Sequence, residues 1–304
     1  MKKETFVINS NCDGLPLSTA LFVPEGDIKA IVQISHGMAE HKERYYEFME
    51  ALAEAGYAAV INDHRGHGES VLDKKDLGYF YDDTGEFIIE DLHDISSYIK
   101  ERFPEKPLYL FGHSMGSMAV RKYIKKYDRD IDKLVVCGSP SKNPAVGAAL
   151  AIVAVEKTFK GDRHRSKTIQ KLAFGANNKG IENPVSGNAW LSVNEDNVKA
   201  YDADDGCGFM FTLNGFKNLF LMMRDIYQTG GWVLENKDLP ILFIAGSEDP
   251  VIGGEKAWRE SMEFLKKVGY TNVEGNLYRG KRHEILNEDN KRDVYNDVIG
   301  FFGQ

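Results

Sequence analysis

Ser114 stands inside Gly112-His113-Ser114-Met115-Gly116, between an apolar run, Leu108–Phe111, and a stretch of helical apolar spacing, Met115–Tyr127. A strand that turns straight into a helix holds the corner residue strained and lifts its hydroxyl clear of the backbone, where it can act as a nucleophile. That hydroxyl attacks an acyl carbon only when a base takes its proton, and an acid must hold the base in one tautomer. On a strand–turn–helix scaffold the three follow in chain order Ser, Asp or Glu, His. Of the eight histidines, only His283 lies beyond the last expected core strand, Val273–Tyr278. The strand Lys133–Cys137 is followed by Gly138-Ser139-Pro140, without a carboxylate. The strand Ile241–Ala245 is followed by Gly246-Ser247-Glu248-Asp249-Pro250, so Asp249 is the candidate acid and Glu248 the reserve. The proline after Asp249 keeps it extended and off the next helix.

These residues need a scaffold, and the pattern supplies one. Thr5–Asn9 and Leu15–Val23 alternate around Asn-Cys-Asp-Gly and read as an edge hairpin. Buried strands are expected at Ala30–Ser35, Tyr57–Ile61, Leu108–Phe111, Lys133–Cys137, Ile241–Ala245 and Val273–Tyr278. Helices are expected at Glu43–Ala55, Phe87–Arg102, Met115–Tyr127, Glu255–Val268 and near Asp289–Phe302. Such alternation implies an α/β fold with a mostly parallel sheet and helices on both faces. From Ser139 to about Gly230 no buried strand occurs, which reads as a helical insertion. The expected organisation is a core at 1–138, a cap at 139–230 and a returning core at 231–304. The alanine-rich run Ala145–Val155 reads as a packed helix in preference to a membrane contact, with transient contact of the cap with a membrane surface left open.

The chain has 304 residues and a net charge of −8, which disfavours a nucleic-acid partner because phosphate binding needs a basic surface. Three separated cysteines, Cys12, Cys137 and Cys207, form no Cys-x-x-Cys pair, so neither a disulfide framework nor a metal site is expected. Cys207 reads as a small buried residue. No apolar h-region follows the N-terminal lysines, and no run approaches the ~18 residues of a membrane span. A cytoplasmic location is the expectation, and oligomeric state is not readable. His36, His64 and His67 lie on two loops without metal-site spacing and read as hydrogen bonders that fix those loops.

The chain resembles α/β-hydrolases of the monoacylglycerol lipase and lysophospholipase group. The resemblance rests on His36-Gly37-x-x-Glu40-His41 with Arg44-Tyr45, Asp63-His64-Arg65-Gly66-His67-Gly68-x-Ser70, Gly112-His113-Ser114-Met115-Gly116 and Gly246-Ser247-x-Asp249. It implies an α/β-hydrolase fold, ester hydrolysis of a small-molecule or lipid substrate through an acyl-enzyme, and no cofactor. It also implies an oxyanion hole from the N–H groups of Met38 and Met115. Chemistry agrees, since one donor follows the nucleophile and the other lies in the loop after Ala30–Ser35. Phe209, Phe211, Phe216 and Phe220 of the insertion are candidate acyl-chain contacts. Glu40 and Arg44, four apart, are candidate substrate ligands but read more readily as an ion pair. The chain departs from the mammalian lipases at Leu286, where those carry a second histidine. An aminopeptidase or amidase of the same fold and a non-hydrolytic ligand receptor using the same pocket are the rival readings.

Overall fold

A computed structural model describes the whole chain, Met1–Gln304. Its strands are β1 (Lys2–Asn9), β2 (Pro16–Val23), β3 (Ile31–Ser35), β4 (Ala58–Asn62), β5 (Leu108–His113), β6 (Lys133–Cys137), β7 (Ile241–Gly246) and β8 (Val273–Tyr278). They form one eight-stranded sheet in the order β1-β2-β4-β3-β5-β6-β7-β8. The β1–β2 and β2–β4 pairings are antiparallel, and every pairing from β4 to β8 is parallel. β3 to β7 are buried along almost their whole length, as parallel strands covered on both faces must be.

Successive side chains of these strands feed two different cores. Ile31, Leu110, Val136 and Phe243 point to one face, where they meet α2 (Phe87–Arg102), α3 (Met115–Tyr127) and α8 (Glu255–Val268). Val32, Phe111, Val135 and Ile244 point to the other, against α1 (Tyr46–Glu54) and α9 (Lys291–Gly303). The period-2 geometry of a strand enforces this division, and each fully buried Leu, Val or Phe adds about 1.5–3 kcal/mol. No helix is long and apolar enough to cross a membrane.

The helix expected to run unbroken over Glu43–Ala55 is divided. Lys42–Tyr45 is a 3₁₀ turn, and α1 begins at Tyr46. Lys42 is tied to Asp63 twice, through its N–H and its ammonium, both at 2.8 Å. That tether tightens the first turn. Between β6 and β7 the chain contains no strand. It contains α4 (Val146–Lys160), α5 (Lys167–Phe174), α6 (Glu195–Ala203) and α7 (Leu213–Asp225).

The loop after β4 packs its histidines against the end of β3. His36 donates from Nδ1 to the Gly37 carbonyl at 2.8 Å and accepts the His64 N–H on Nε2 at 2.9 Å. The His36 ring lies 4.2 Å from that of His64 and 5.2 Å from that of His67. Burial pushes His36 down to about 3 and His67 down to about 4, so all folded copies hold neutral rings near pH 7. An unfolded chain would titrate these imidazoles near ~6.5, so between there and about 4 it binds more protons than the folded chain. Stability should therefore fall as pH drops through that window, read as a decreasing urea midpoint. A midpoint unchanged from about pH 7 to about pH 4.5 would contradict neutral burial.

Candidate active site

β5 ends at His113, α3 starts at Met115, and Ser114 between them has φ 55° and ψ −116°. A non-glycine residue there is strained by roughly 1–3 kcal/mol, and its surroundings over-determine the corner. The Ser114 N–H donates to the Cys137 carbonyl of β6 at 2.9 Å. Ser117 Oγ donates to the Ser114 carbonyl from the first turn of α3. The helix can approach β3 only because position 116 is glycine. A Cβ there would drive into the Ser35 carbonyl and come within 2.5 Å of the His36 carbonyl oxygen.

His283, on the loop after β8, turns Nδ1 toward Asp249 Oδ2 at 2.8 Å, and each side chain is almost fully buried. Asp249 also accepts the Val251 N–H on Oδ1 at 2.8 Å, capping the short Pro250–Ile252 turn. Capping and imidazole binding thus use different oxygens of one carboxylate. Its neighbour Glu248 is exposed, its N–H anchored to the Lys281 carbonyl at 2.9 Å.

Ser114, His283, Met38 and Met115 all line one cavity of about 820 Å³. Met115 is the first residue of α3, where an N–H has no partner within the helix. Apolar walls come from both parts of the chain: Met118 on α3, and Val146, Ala149, Ile169, Leu219 and Met223 on the helices between β6 and β7. Trp190 lies 5.0 Å from the His283 ring.

The four candidate phenylalanines divide. Phe209 and Phe220 line the cavity, whereas Phe211 and Phe216 do not. Phe211 is fully buried, 5.2 Å from Phe80 and 5.3 Å from His67, and Phe216 packs 5.9 Å from Phe211. Residues 216 and 220 of α7 stack 5.8 Å apart, so only the outer of the two reaches the cavity wall.

Arg44 is likewise absent from the lining. Its guanidinium bridges two buried carboxylates: Nη1 and Nη2 take both oxygens of Glu284 at 2.6 and 2.7 Å, and Nη1 meets Glu40 Oε2 at 2.7 Å. Glu40 reaches the cavity edge, but its oxygens are occupied by Arg44, by the Gly37 N–H at 2.5 Å and by the Tyr45 hydroxyl at 2.8 Å. Burial opposes ionisation of Glu40, yet His113 and Arg44 outweigh it and hold the carboxyl well below the usual range.

Three residues of this network were not singled out by sequence reasoning: Tyr45 as a bridge, His113 and Glu284. Tyr45 gives its proton to Glu40, so His113 Nδ1, 2.9 Å away, is the donor to the Tyr45 oxygen. His113 Nε2 faces the carbonyl of His283 at 3.2 Å. Both ring nitrogens therefore face acceptors, as a protonated imidazole requires. Burial lowers the His113 pKa, but Glu40 outweighs that and raises it above the ordinary value. This charged cluster links the loop of Met38 to the loop of His283. The only sequence signal was adjacency, with His113 beside Ser114 and Glu284 beside His283.

A family model described as serine aminopeptidase, S33, matches residues 26–290. The chain is 26% identical to a monoacylglycerol lipase of Mycolicibacterium smegmatis over 291 residues, covering 95% of this chain and 93% of the relative. It is 24% identical to the human monoglyceride lipase over 280 residues, covering 91% and 83%. A thermostable carboxyl esterase from Bacillus coagulans, solved in complex with glycerol, superposes with a TM-score of 0.91 at 26% identity, covering 100% of this chain and 98% of that one. The architecture is the α/β-hydrolase fold.

Proposed function

The chain belongs to the serine aminopeptidase S33 family, and from that premise we propose a serine esterase or lipase of monoacyl lipids or other lipophilic carboxylic esters. One observation carries the reading: the strained Ser114 corner and His283, held from behind by Asp249, line the same largely apolar cavity. In the proposed cycle His283 Nε2 takes the Ser114 proton as Oγ attacks the ester carbonyl. The N–H groups of Met38 and Met115 receive the oxyanion, and Asp249 stabilises the imidazolium. His283 then gives its proton to the departing alcohol oxygen as the C–O bond breaks. A water repeats the attack on the Ser114 acyl ester, releasing the carboxylic acid.

Three features favour esters of lipids. The walls are aliphatic and aromatic, and the helical segment 139–230, which we read as a cap, supplies much of them. Relatives named monoacylglycerol lipase and monoglyceride lipase span most of the chain. Phe159 on α4 is 82% exposed beside Lys160, and Leu172, 65% exposed, stands with Lys167 and Lys171 at the rim of the cavity, which suits brief contact with a lipid surface. Leu286 is buried in the core, so no side chain at that position holds a glycerol head group, and lysophospholipids stay within the reading. An amidase that captured a free α-amino group would need an available carboxylate, and Glu40 and Glu284 are already paired with Arg44. The intact set of Ser114, Asp249 and His283 counts against a non-hydrolytic receptor. The free cysteines fit the reducing cytoplasm, our proposed location.

A series of p-nitrophenyl esters from acetate to laurate tests this. Each buried methylene is worth about 0.8 kcal/mol, so two more should raise kcat/KM roughly tenfold until the cavity is full. Phe220→Ala should flatten that rise. A flat profile in the native protein would leave a short-chain carboxylesterase.

A further inference from the structure

We propose that His41, Asp204 and Cys207 form a binding site for a divalent metal ion of the zinc type, beside the loop that carries Met38. His41 Nε2, Asp204 Oδ2 and Cys207 Sγ all lie within 4.8 Å of one another, with Nε2 and Oδ2 2.8 Å apart. Zinc bonds to such donors are about 2.0–2.3 Å long, so small side-chain rotations bring all three onto one ion, with water as the fourth ligand. Imidazole, thiolate and carboxylate together favour zinc over the hard oxygen-seeking cations.

The local backbone builds this arrangement. Asp204 directly follows α6, and the Cys207 N–H donates to its carbonyl at 2.9 Å. The Gly206 N–H donates to Asp204 Oδ1 at 2.8 Å, which leaves Oδ2 directed at His41. The turn presents an acid and a thiol three positions apart on one side. His41 packs directly on it, since a Cβ on Gly206 would come within 2.9 Å of His41 Cδ2.

Charge and access favour a cation. Glu40 and Glu284 pair with Arg44, and Glu40 also with His113, whereas the only ion-pair partner of the third carboxylate, Asp204, is His41. The His41 and Asp204 side chains are 15% and 38% exposed, leaving an entry from solvent. Burial pushes the Cys207 thiol far up, so without metal it is protonated. On binding, the Zn–S bond forms as the thiol proton leaves to solvent, and His41 offers Nε2 to the ion with its ring proton on Nδ1.

The site adjoins the oxyanion loop. The Gly208 N–H and the Tyr201 hydroxyl both donate to the Ala39 carbonyl, each at 2.9 Å. A bound ion would therefore stiffen the segment next to Met38, whatever the substrate of the cavity.

The full-length protein titrated with Co²⁺ should take up one equivalent and show tetrahedral bands with a thiolate-to-cobalt charge transfer. Zn²⁺ should displace it. Cys207→Ser should lose the charge-transfer band and weaken Zn²⁺ binding by about 100-fold or more, while Cys12→Ser should change neither. Near-UV circular dichroism of the metal-free variants checks folding. Independently of any variant, Zn²⁺ should protect Cys207 but not Cys12 of the native chain from iodoacetamide. Absence of the charge-transfer band, its survival in Cys207→Ser, or equal alkylation of Cys207 with and without Zn²⁺ would overturn the site.

Discussion

Ser114→Ala is expected to lower kcat/KM for any ester substrate by about 10³-fold or more, with the melting temperature essentially unchanged. The substitution removes one hydroxyl at a solvent-accessible corner. The anchoring bond from the Ser114 N–H to the Cys137 carbonyl is a backbone contact, and the Ser117 hydroxyl also bonds backbone, so both survive. What is lost is the oxygen that forms the acyl-enzyme. Residual turnover would come from substrate binding and the oxyanion donors acting on water. A fluorophosphonate probe should label the native protein once, on the peptide containing Ser114. Labelling elsewhere with Ser114 unmodified, or an active Ser114→Ala variant, would remove the nucleophile assignment.

Asp249→Asn is expected to reduce kcat by roughly 10³- to 10⁴-fold, whereas Glu248→Gln should leave it nearly unchanged. The difference follows from which oxygen faces the imidazole. Asp249 Oδ2 accepts from His283 Nδ1 at 2.8 Å inside a buried site, so it selects the tautomer with a free Nε2. It also lowers the energy of the imidazolium formed when Ser114 is deprotonated. An asparagine can keep the cap to the Val251 N–H through its carbonyl, so the fold should persist. Its amide then turns a donor toward Nδ1, favours the wrong tautomer and carries no charge. Glu248 is exposed and contributes only its backbone N–H to the loop. Equal effects of the two substitutions, or a larger one for Glu248→Gln, would reassign the acid.

Much of this architecture is legible in the chain because strands and helices bury their apolar residues with different periods. The run Leu108–Phe111 is continuous because β5 is covered on both faces, and Phe87–Arg102 keeps helical spacing over the whole of α2. Topology then narrows the chemistry. Only one histidine follows the last strand, and a carboxylate follows β7 but not β6, so candidate roles for Ser114, Asp249 and His283 can be written from order alone.

Other features depend on which face of each element meets which neighbour. Phe216 and Phe220 share a helical stripe, and nothing in their spacing says that one packs beside Phe211 while the other reaches the cavity. Docking of α7 on the sheet decides that. Glu40 and Arg44 have the spacing of a simple helix ion pair. Only the approach of the loop after β8, 240 positions away, brings Glu284 to Arg44 and turns the pair into a buried bridge. Folding likewise places Cys207 beside His41, whose contact with Asp204 spans 163 positions. The sequence by itself determined the core strands, the mostly parallel character of their sheet and the candidate nucleophile, base and acid, because periodicity and chain order are local or topological properties. The tertiary structure decided the cavity wall, the charged bridge behind it and the candidate metal site, because each needs side chains whose meeting depends on how distant elements pack.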